Sequence, residues 1–267
     1  MSLAATTANF LTIIDGTSLK RHATSYDFRK TPTPTTPKAH IWSTDNSVLY
    51  LVSSDAIHSF SPTSCAFTSL YSSPEGVPLQ PVLALKDRST LIFAQGAAIH
   101  LFSIRSSTPQ ITSSLIGHSA PVTSLSVCND ASLLASSSAS GTLCVHNLAH
   151  SSSTVLKGIP TTPGSSSKTL ICTFHPHMRT RLLVGCGKTL VLYDTFRPSG
   201  PLRSILLSQK DSSGTIPTIG NIVAISCSPF SKTLTAVAFN SGFIALVDLE
   251  KDRPYVISLV VVILLHD

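Results

Sequence analysis

Apolar side chains alternate with polar ones in short runs along most of the chain, and each run stops at Gly, Asn, Asp, Ser or Pro. This period-two pattern predicts half-buried β-strands, because successive side chains on a strand point to opposite faces. A helical period never holds for more than about one turn, so no amphipathic helix is expected. The runs come in a fixed order. First strands are predicted at 39–45, 82–87, 122–128, 169–176 and 222–229. Second strands follow at 48–54, 90–96, 133–138, 181–187 and 234–240. A third strand closes each group on a recurring pair: Ile14-Asp15, Phe60-Ser61, Phe102-Ser103, His146-Asn147, Tyr193-Asp194 and Val247-Asp248. From Asp15 through Ser61, Ser103, Asn147, Asp194 and Asp248 the intervals are 46, 42, 44, 47 and 54 residues. The longest interval holds the polar stretch 208–220, read as an inserted loop. Outer strands are expected at 153–158 and 202–208, and another at 255–259.

The clearest period is 117–148. It opens on Gly117-His118, turns at Asn129-Asp130 and Ser140-Gly141, and ends with His146-Asn147 where a Trp-Asp pair would complete the motif. This stretch resembles a WD repeat, a unit of about 40–45 residues with four strands. The resemblance implies an all-β, WD40-type β-propeller of four-stranded blades, read as a single domain over 1–267. One such unit cannot bury its own faces and needs neighbours. The first group has a second strand (3–7) and a third (10–15) but no first, and five groups follow. That gives about five and a half to six blades, a six-bladed ring or an incomplete seven-bladed one, within the 4–8 of known propellers. A sandwich with similar turn spacing is the alternative, but it does not explain Gly117-His118 at its offset.

WD blades are often tied by a buried tetrad: the Gly-His histidine, a second-strand Ser or Thr, an Asp of the next turn, and the Trp. By this resemblance His118 and Ser138 match the first two, Ser140 replaces the Asp and His146 the Trp. An incomplete network holds a blade less rigidly. The expected structural repeat positions are therefore Gly117, His118, Ser138, His146 and Asn147, with Asp15, Tyr193, Asp194 and Asp248 from the other groups.

Of the 267 residues, 42% are hydrophobic and 12% charged, which suits a large core and excludes a disordered polymer. The formal charge of +6 is scattered, without a basic helix or an aromatic-interleaved strand. It is read as solubility and attraction for an acidic partner, and nucleic acid is disfavoured. The six cysteines form no C-x-x-C pair and fall mostly in predicted strands, as buried thiols of a reducing compartment would. No sequon and no basic leader are present, so secretion is not expected.

No catalytic set emerges. GCGKT (185–189) has Leu182 where a phosphate-binding loop needs Gly, and it leads into a strand. His175-Pro176-His177 has no further ligand at metal spacing. There are 13 acidic residues and no G-x-S-x-G elbow. The reading is no enzyme, no cofactor and no metal. Thr31, Thr33 and Thr36 each precede a proline in the loop 31–37 and are candidate phosphosites. Phosphate beside Arg29, Lys30 and Lys38 would order that loop, which is otherwise a stiff connector. The apolar tail 256–265 is too short to span a bilayer, which takes about 20 residues. It is either one closing strand or, the favoured reading, an atypical end (256–267) foreign to the repeat in a chain cut short.

A narrower resemblance lies in the succession SGTLCVHNL (140–148), RLLVGCGKTLVLYDT (181–195), LRSILLS (202–208) and LTAVAFNSGFIALVDL (234–249). It is similar to the NEDD-type WD-repeat family, which targets γ-tubulin ring complexes to the centrosome or spindle pole. The similarity covers about 115–255. It implies a scaffold that binds proteins through propeller faces, with centrosomal or γ-tubulin complex partners and no membrane. The expected location is the cytoplasm, at the centrosome or spindle pole body, with the nucleus as a second compartment. In that family a C-terminal helical region binds the γ-tubulin complex, and this chain ends before any such region. The alternatives are an adaptor of a ubiquitin ligase, trafficking coat or RNA-processing complex and, third, an enzyme or small-molecule-binding propeller.

Overall fold

The alternating runs become strands, and within each sheet every strand pairs antiparallel with the one before it in the chain. The computed structural model describes residues 2–6, 10–15, 21–27, 36–74, 77–105, 108–160, 169–207 and 220–251. It divides into two compact units, Met1–Ile116 and Gly117–Asp267.

The first unit holds three sheets. β1 (Ser2–Thr6), β2 (Phe10–Asp15) and β3 (Arg21–Asp27) form the first. The second is β4 (Ala39–Trp42), β5 (Leu49–Val52), β6 (Ala56–Ser61) and β7 (Ala66–Ser72). The third is β8 (Leu79–Asp87), β9 (Thr90–Gln95), β10 (Ala98–Ser103) and β11 (Gln110–Leu115). Val52 and Ile57 of the second sheet and Leu91, Phe93 and Phe102 of the third share one core. Tyr71 tilts against Phe93 at 5.1 Å and meets Phe102 edge-on at 5.7 Å, arrangements that aromatic quadrupoles favour.

The second unit holds three more. The fourth sheet is β12 (Val122–Val127), β13 (Leu133–Ser138), β14 (Leu143–Asn147) and β15 (Ser152–Leu156). The fifth is β16 (Leu170–Phe174), β17 (Arg181–Cys186), β18 (Thr189–Asp194) and β19 (Arg203–Leu206). The sixth is β20 (Ile222–Cys227), β21 (Leu234–Phe239) and β22 (Ile244–Asp248). Asp15, Ser61, Ser103, Asn147, Asp194 and Asp248 each end the strand expected of them. The outer strand expected at 255–259 and the tail 256–267 lie outside the described residues, as does most of the loop 208–220.

First strands have a free backbone edge, and in the second unit the preceding sheet satisfies it. The Cys172 and Phe174 N–H groups of β16 donate to the hydroxyls of Ser124 and Ser126 at 3.1 and 2.9 Å. The Ser137 hydroxyl donates to the Leu170 carbonyl at 2.7 Å. One seam later, Thr173 donates to the Ile225 carbonyl at 3.4 Å. Buried peptide groups need such partners, because an unpaired one costs about 1–3 kcal/mol. Apolar contacts fill the rest: Ala135 and Val145 meet Cys172, Val184 and Tyr193, while Leu183 and Leu190 meet Ile225 and Val237. At Gly185 a Cβ would stand 2.6 Å from Ile222 Cγ2, so only glycine lets β20 approach this closely.

Candidate functional site

The chemistry-bearing residues of the clearest repeat converge inside the fourth sheet. Strand β13 pairs Ser136 with Cys144 and Leu134 with His146, so Ser136 and His146 are diagonal neighbours on one face. The Ser136 hydroxyl lies 2.8 Å from His146 Nε2 and 2.7 Å from His118 Nε2. It donates its one proton to one imidazole and accepts from the other. The two rings meet edge to face with centroids 6.2 Å apart. Burial holds His118 below the usual histidine range. Burial, reinforced by His118, takes His146 down to about 4. Both rings are therefore neutral at physiological pH. A Cβ on Gly117 would come 3.0 Å from His146 Cε1, so the Gly of the Gly-His pair makes room for the ring that replaces Trp.

This arrangement corrects the expected tetrad. Ser136, not Ser138, joins His118 to the third strand. Ser138 ends β13 at a turn closed by Gly141 N–H to the Ser138 carbonyl, and its hydroxyl meets Ser140 at 2.9 Å. A serine flanked by two histidines has the components of a nucleophile and base. Ser136 is 0% exposed, however, and no substrate atom reaches it. Cys144, whose thiol burial pushes up to about 11, closes the cluster beneath Gly117.

The other repeat positions act locally. Asn147 Oδ1 accepts the N–H groups of Ala149 and His150 at 2.9 and 3.2 Å. Asp194 and Asp248 accept those of Phe196 and Glu250, each at 3.1 Å. These are Asx turns that end the third strand, which explains the residue types at the repeat mark. Tyr193 occupies the Trp position of the fifth sheet, fully buried; burial first, then Cys186, raises its hydroxyl to about 12. Asp15 ends β2, and its side chain lies outside the description. Thr31 and Thr33 lie outside the described residues, whereas Thr36 is described and exposed.

One repeated signal went unnoticed in the sequence. Asp45, Asp87 and Asp130 each sit two before a serine and accept its N–H at 3.1, 2.7 and 3.1 Å. Asp45 and Asp130 lie in the turns between first and second strands, and Asp87 ends its first strand at the same turn. The Cys128 and Ser132 side chains hold the Asp130 carboxyl down at about 2. Asp130 also pairs with Arg179 of the neighbouring turn at 3.1 Å.

The His175-Pro176-His177 stretch is structural. His175 Nδ1 accepts the His177 N–H at 3.1 Å, and Nε2 lies 2.9 Å from the Lys232 carbonyl, to which it donates. Both ring nitrogens are engaged, so His175 has none left for a metal. Among the described residues no three His, Cys, Asp or Glu gather as a metal site, and no helix is long and apolar enough to cross a membrane.

The most exposed large hydrophobic among the described residues sits on a turn. Phe230 lies between β20 and β21 and is 96% exposed. The backbone beneath it is fixed, because Ser228 Oγ accepts the N–H groups of Phe230 and Ser231 at 3.1 and 3.0 Å. A bulky aromatic on a pinned turn is costly to leave in water and well placed to anchor a partner.

No family profile matches this sequence, and no curated protein matches it. Solved structures do. The WD40 repeats of RRP9 superpose with a TM-score of 0.73 at 14% identity, over 96% of this chain and 76% of that one. A chain of the mitotic checkpoint complex gives 0.68 at 17%, over 92% and 69%. U3-55K gives 0.73 at 13%, over 96% and 77%. Likeness at this identity is a likeness of fold. The fold is all-β, a WD40-type β-propeller; among the described residues four of the sheets have four strands and the first and sixth have three.

Proposed function

We propose that this chain is a non-enzymatic WD-repeat scaffold that binds other proteins through the loops of its blades. Phe230 carries the reading: it is an exposed aromatic held on a pinned turn, while the His118–Ser136–His146 cluster is sealed inside a sheet. Large exposed aromatics are the usual anchors of protein interfaces. One of the similar structures comes from a multi-protein assembly, the mitotic checkpoint complex, which supports the same role.

The finer reading is a targeting module for microtubule nucleation. Its partners are centrosomal or γ-tubulin complex components, and its place is the cytoplasmic centrosome or spindle pole body. The succession of repeats over about 115–255 supports it. The experiment is purification of the tagged chain from its native locus, with partners identified by mass spectrometry. Recovery of γ-tubulin complex subunits, together with their co-sedimentation, supports the finer reading. Recovery of ubiquitin-ligase, trafficking-coat or RNA-processing subunits instead replaces it while leaving the scaffold role standing. Recovery of no protein at all overturns both.

A further inference from the structure

In four sheets the residue just after the first strand does the same two things. It is Ser43, Cys128, His175 and Ser228. Its N–H donates to the start of the second strand, to the carbonyls of Val48, Leu133, Arg181 and Leu234 at 2.8, 3.0, 2.9 and 2.9 Å. Its side chain accepts N–H groups from its own turn. Ser43 takes those of Ser47 and Val48, Cys128 that of Leu133, His175 that of His177, and Ser228 those of Phe230 and Ser231. Serine and cysteine do this with the single polar atom they have. Histidine does it with Nδ1 and has a second ring nitrogen beyond the turn.

That second nitrogen crosses to the next sheet. His175 Nε2 lies 2.9 Å from the Lys232 carbonyl, and Lys232 belongs to the turn between β20 and β21 that carries Phe230. An N–H facing Nδ1 and a carbonyl facing Nε2 admit one ring state, the neutral tautomer with its proton on Nε2. The Ser228 bonds lie within the turn itself and shape it from inside. Thr173 crosses the same seam to Ile225 at 3.4 Å, but it lands in β20, short of the turn. A second link between turns, Arg179 to Asp130, is an exposed ion pair and contributes little. His175 is 0% exposed, and in such surroundings a hydrogen bond is stronger and its loss more costly.

We propose that His175 is the positioning residue of the Phe230 anchor. Its Nε2–H fixes the turn 228–233 against the fifth sheet, so that Phe230 meets a partner from one set place. This rests on the reading of Phe230 as a partner anchor and adds that its aim is set from the neighbouring sheet.

The test begins with the intact chain. In 15N spectra at neutral pH the His175 ring is expected as the Nε2–H tautomer, and the Nδ1–H tautomer overturns the proposal. His175→Leu removes both side-chain bonds, whereas His175→Gln keeps an N–H for the Lys232 carbonyl. In His175→Leu, amide exchange at Ser228, Phe230 and Ser231 is expected to quicken about three- to tenfold, with Val184 of β17 unchanged. His175→Gln is expected to recover most of that difference. If His175→Leu does not fold, His175→Asn, whose amide is too short to reach Lys232, takes its place. Unchanged exchange at the three amides overturns the proposal, as does exchange quickened equally at Val184. The second arm runs the tagged chain from cell extract on a density gradient beside Phe230→Ser. Movement of His175→Leu toward 28.2 kDa together with Phe230→Ser supports the proposal. Retention of its partners by His175→Leu, where Phe230→Ser loses them, overturns it. If Phe230→Ser changes nothing, the anchor reading falls, and the exchange result alone decides whether His175 positions the turn.

Discussion

Acidification from pH 7.5 to 5.0 will weaken the fourth sheet through His146. Burial, with His118 adding to it, lowers this imidazole from 6.5 to about 4. In the unfolded chain it titrates near 6.5. Between these values the unfolded state binds the proton and the folded state does not, so stability is complete above pH 6.5 and falls as pH drops toward 4. At pH 5.0 the unfolded imidazole is nearly all protonated and the folded one hardly at all, which corresponds to about 2 kcal/mol of lost stability. The loss approaches about 3 kcal/mol below pH 4. Burial shifts His58, His100, His118 and His175 in the same direction, so the wild-type slope alone does not isolate His146. The assay is urea unfolding followed by circular dichroism at both pH values, for wild type and His146→Trp. Trp does not titrate, and it offers an N–H to Ser136. The wild type is expected to lose about 2 kcal/mol more than the variant on acidification. Equal losses would refute the neutral, buried His146 on which the network depends.

Four further outcomes follow from the same geometry. His118→Ala leaves the Ser136 hydroxyl short of a partner and should cost about 1–3 kcal/mol, read as a lower melting temperature. Ser137→Ala strips the Leu170 carbonyl of its donor across the seam and should cost a similar 1–3 kcal/mol or so by denaturant titration, with Thr at 137 retaining part of the loss. Gly185→Ala drives a methyl to within 2.6 Å of Ile222 and should destabilise by about 1–3 kcal/mol, partly relieved by Ile222→Ala. Of the six cysteines Cys65 alone is exposed, and burial raises the Cys144 and Cys172 thiols to about 11. A thiol reagent at neutral pH should therefore label one site fast in the native chain and none fast in Cys65→Ser.

The inner parts of the blades were legible because they are buried on both faces. Continuous or alternating apolar runs such as 90–96, 133–138 and 181–187 became β9, β13 and β17 within a residue. The polar residues that close third strands were legible too, and the reason is now physical: Asn147, Asp194 and Asp248 cap the turns that follow. Outer strands were harder. β7 and β11 have no counterpart in the sequence reading, because most of their side chains face solvent and leave no apolar period to detect. Choosing between Ser136 and Ser138 was beyond a one-dimensional reading of three consecutive serines, since the choice depends on which one lies diagonal to His146. The Asp-x-Ser turns were present as a signal at 45–47, 87–89 and 130–132 and were overlooked. The seam hydroxyls at Ser124, Ser126 and Ser137 acquire meaning only once the next sheet is in place.

The scaffold reading is tested most directly by the native size of the tagged chain in cell extract on a density gradient, beside Phe230→Ser. The account predicts migration well above the chain's own 28.2 kDa, with protein partners in the same fractions, and a shift toward 28.2 kDa when Phe230 is lost. A wild-type chain that migrates alone at 28.2 kDa, indistinguishable from the variant, would contradict it.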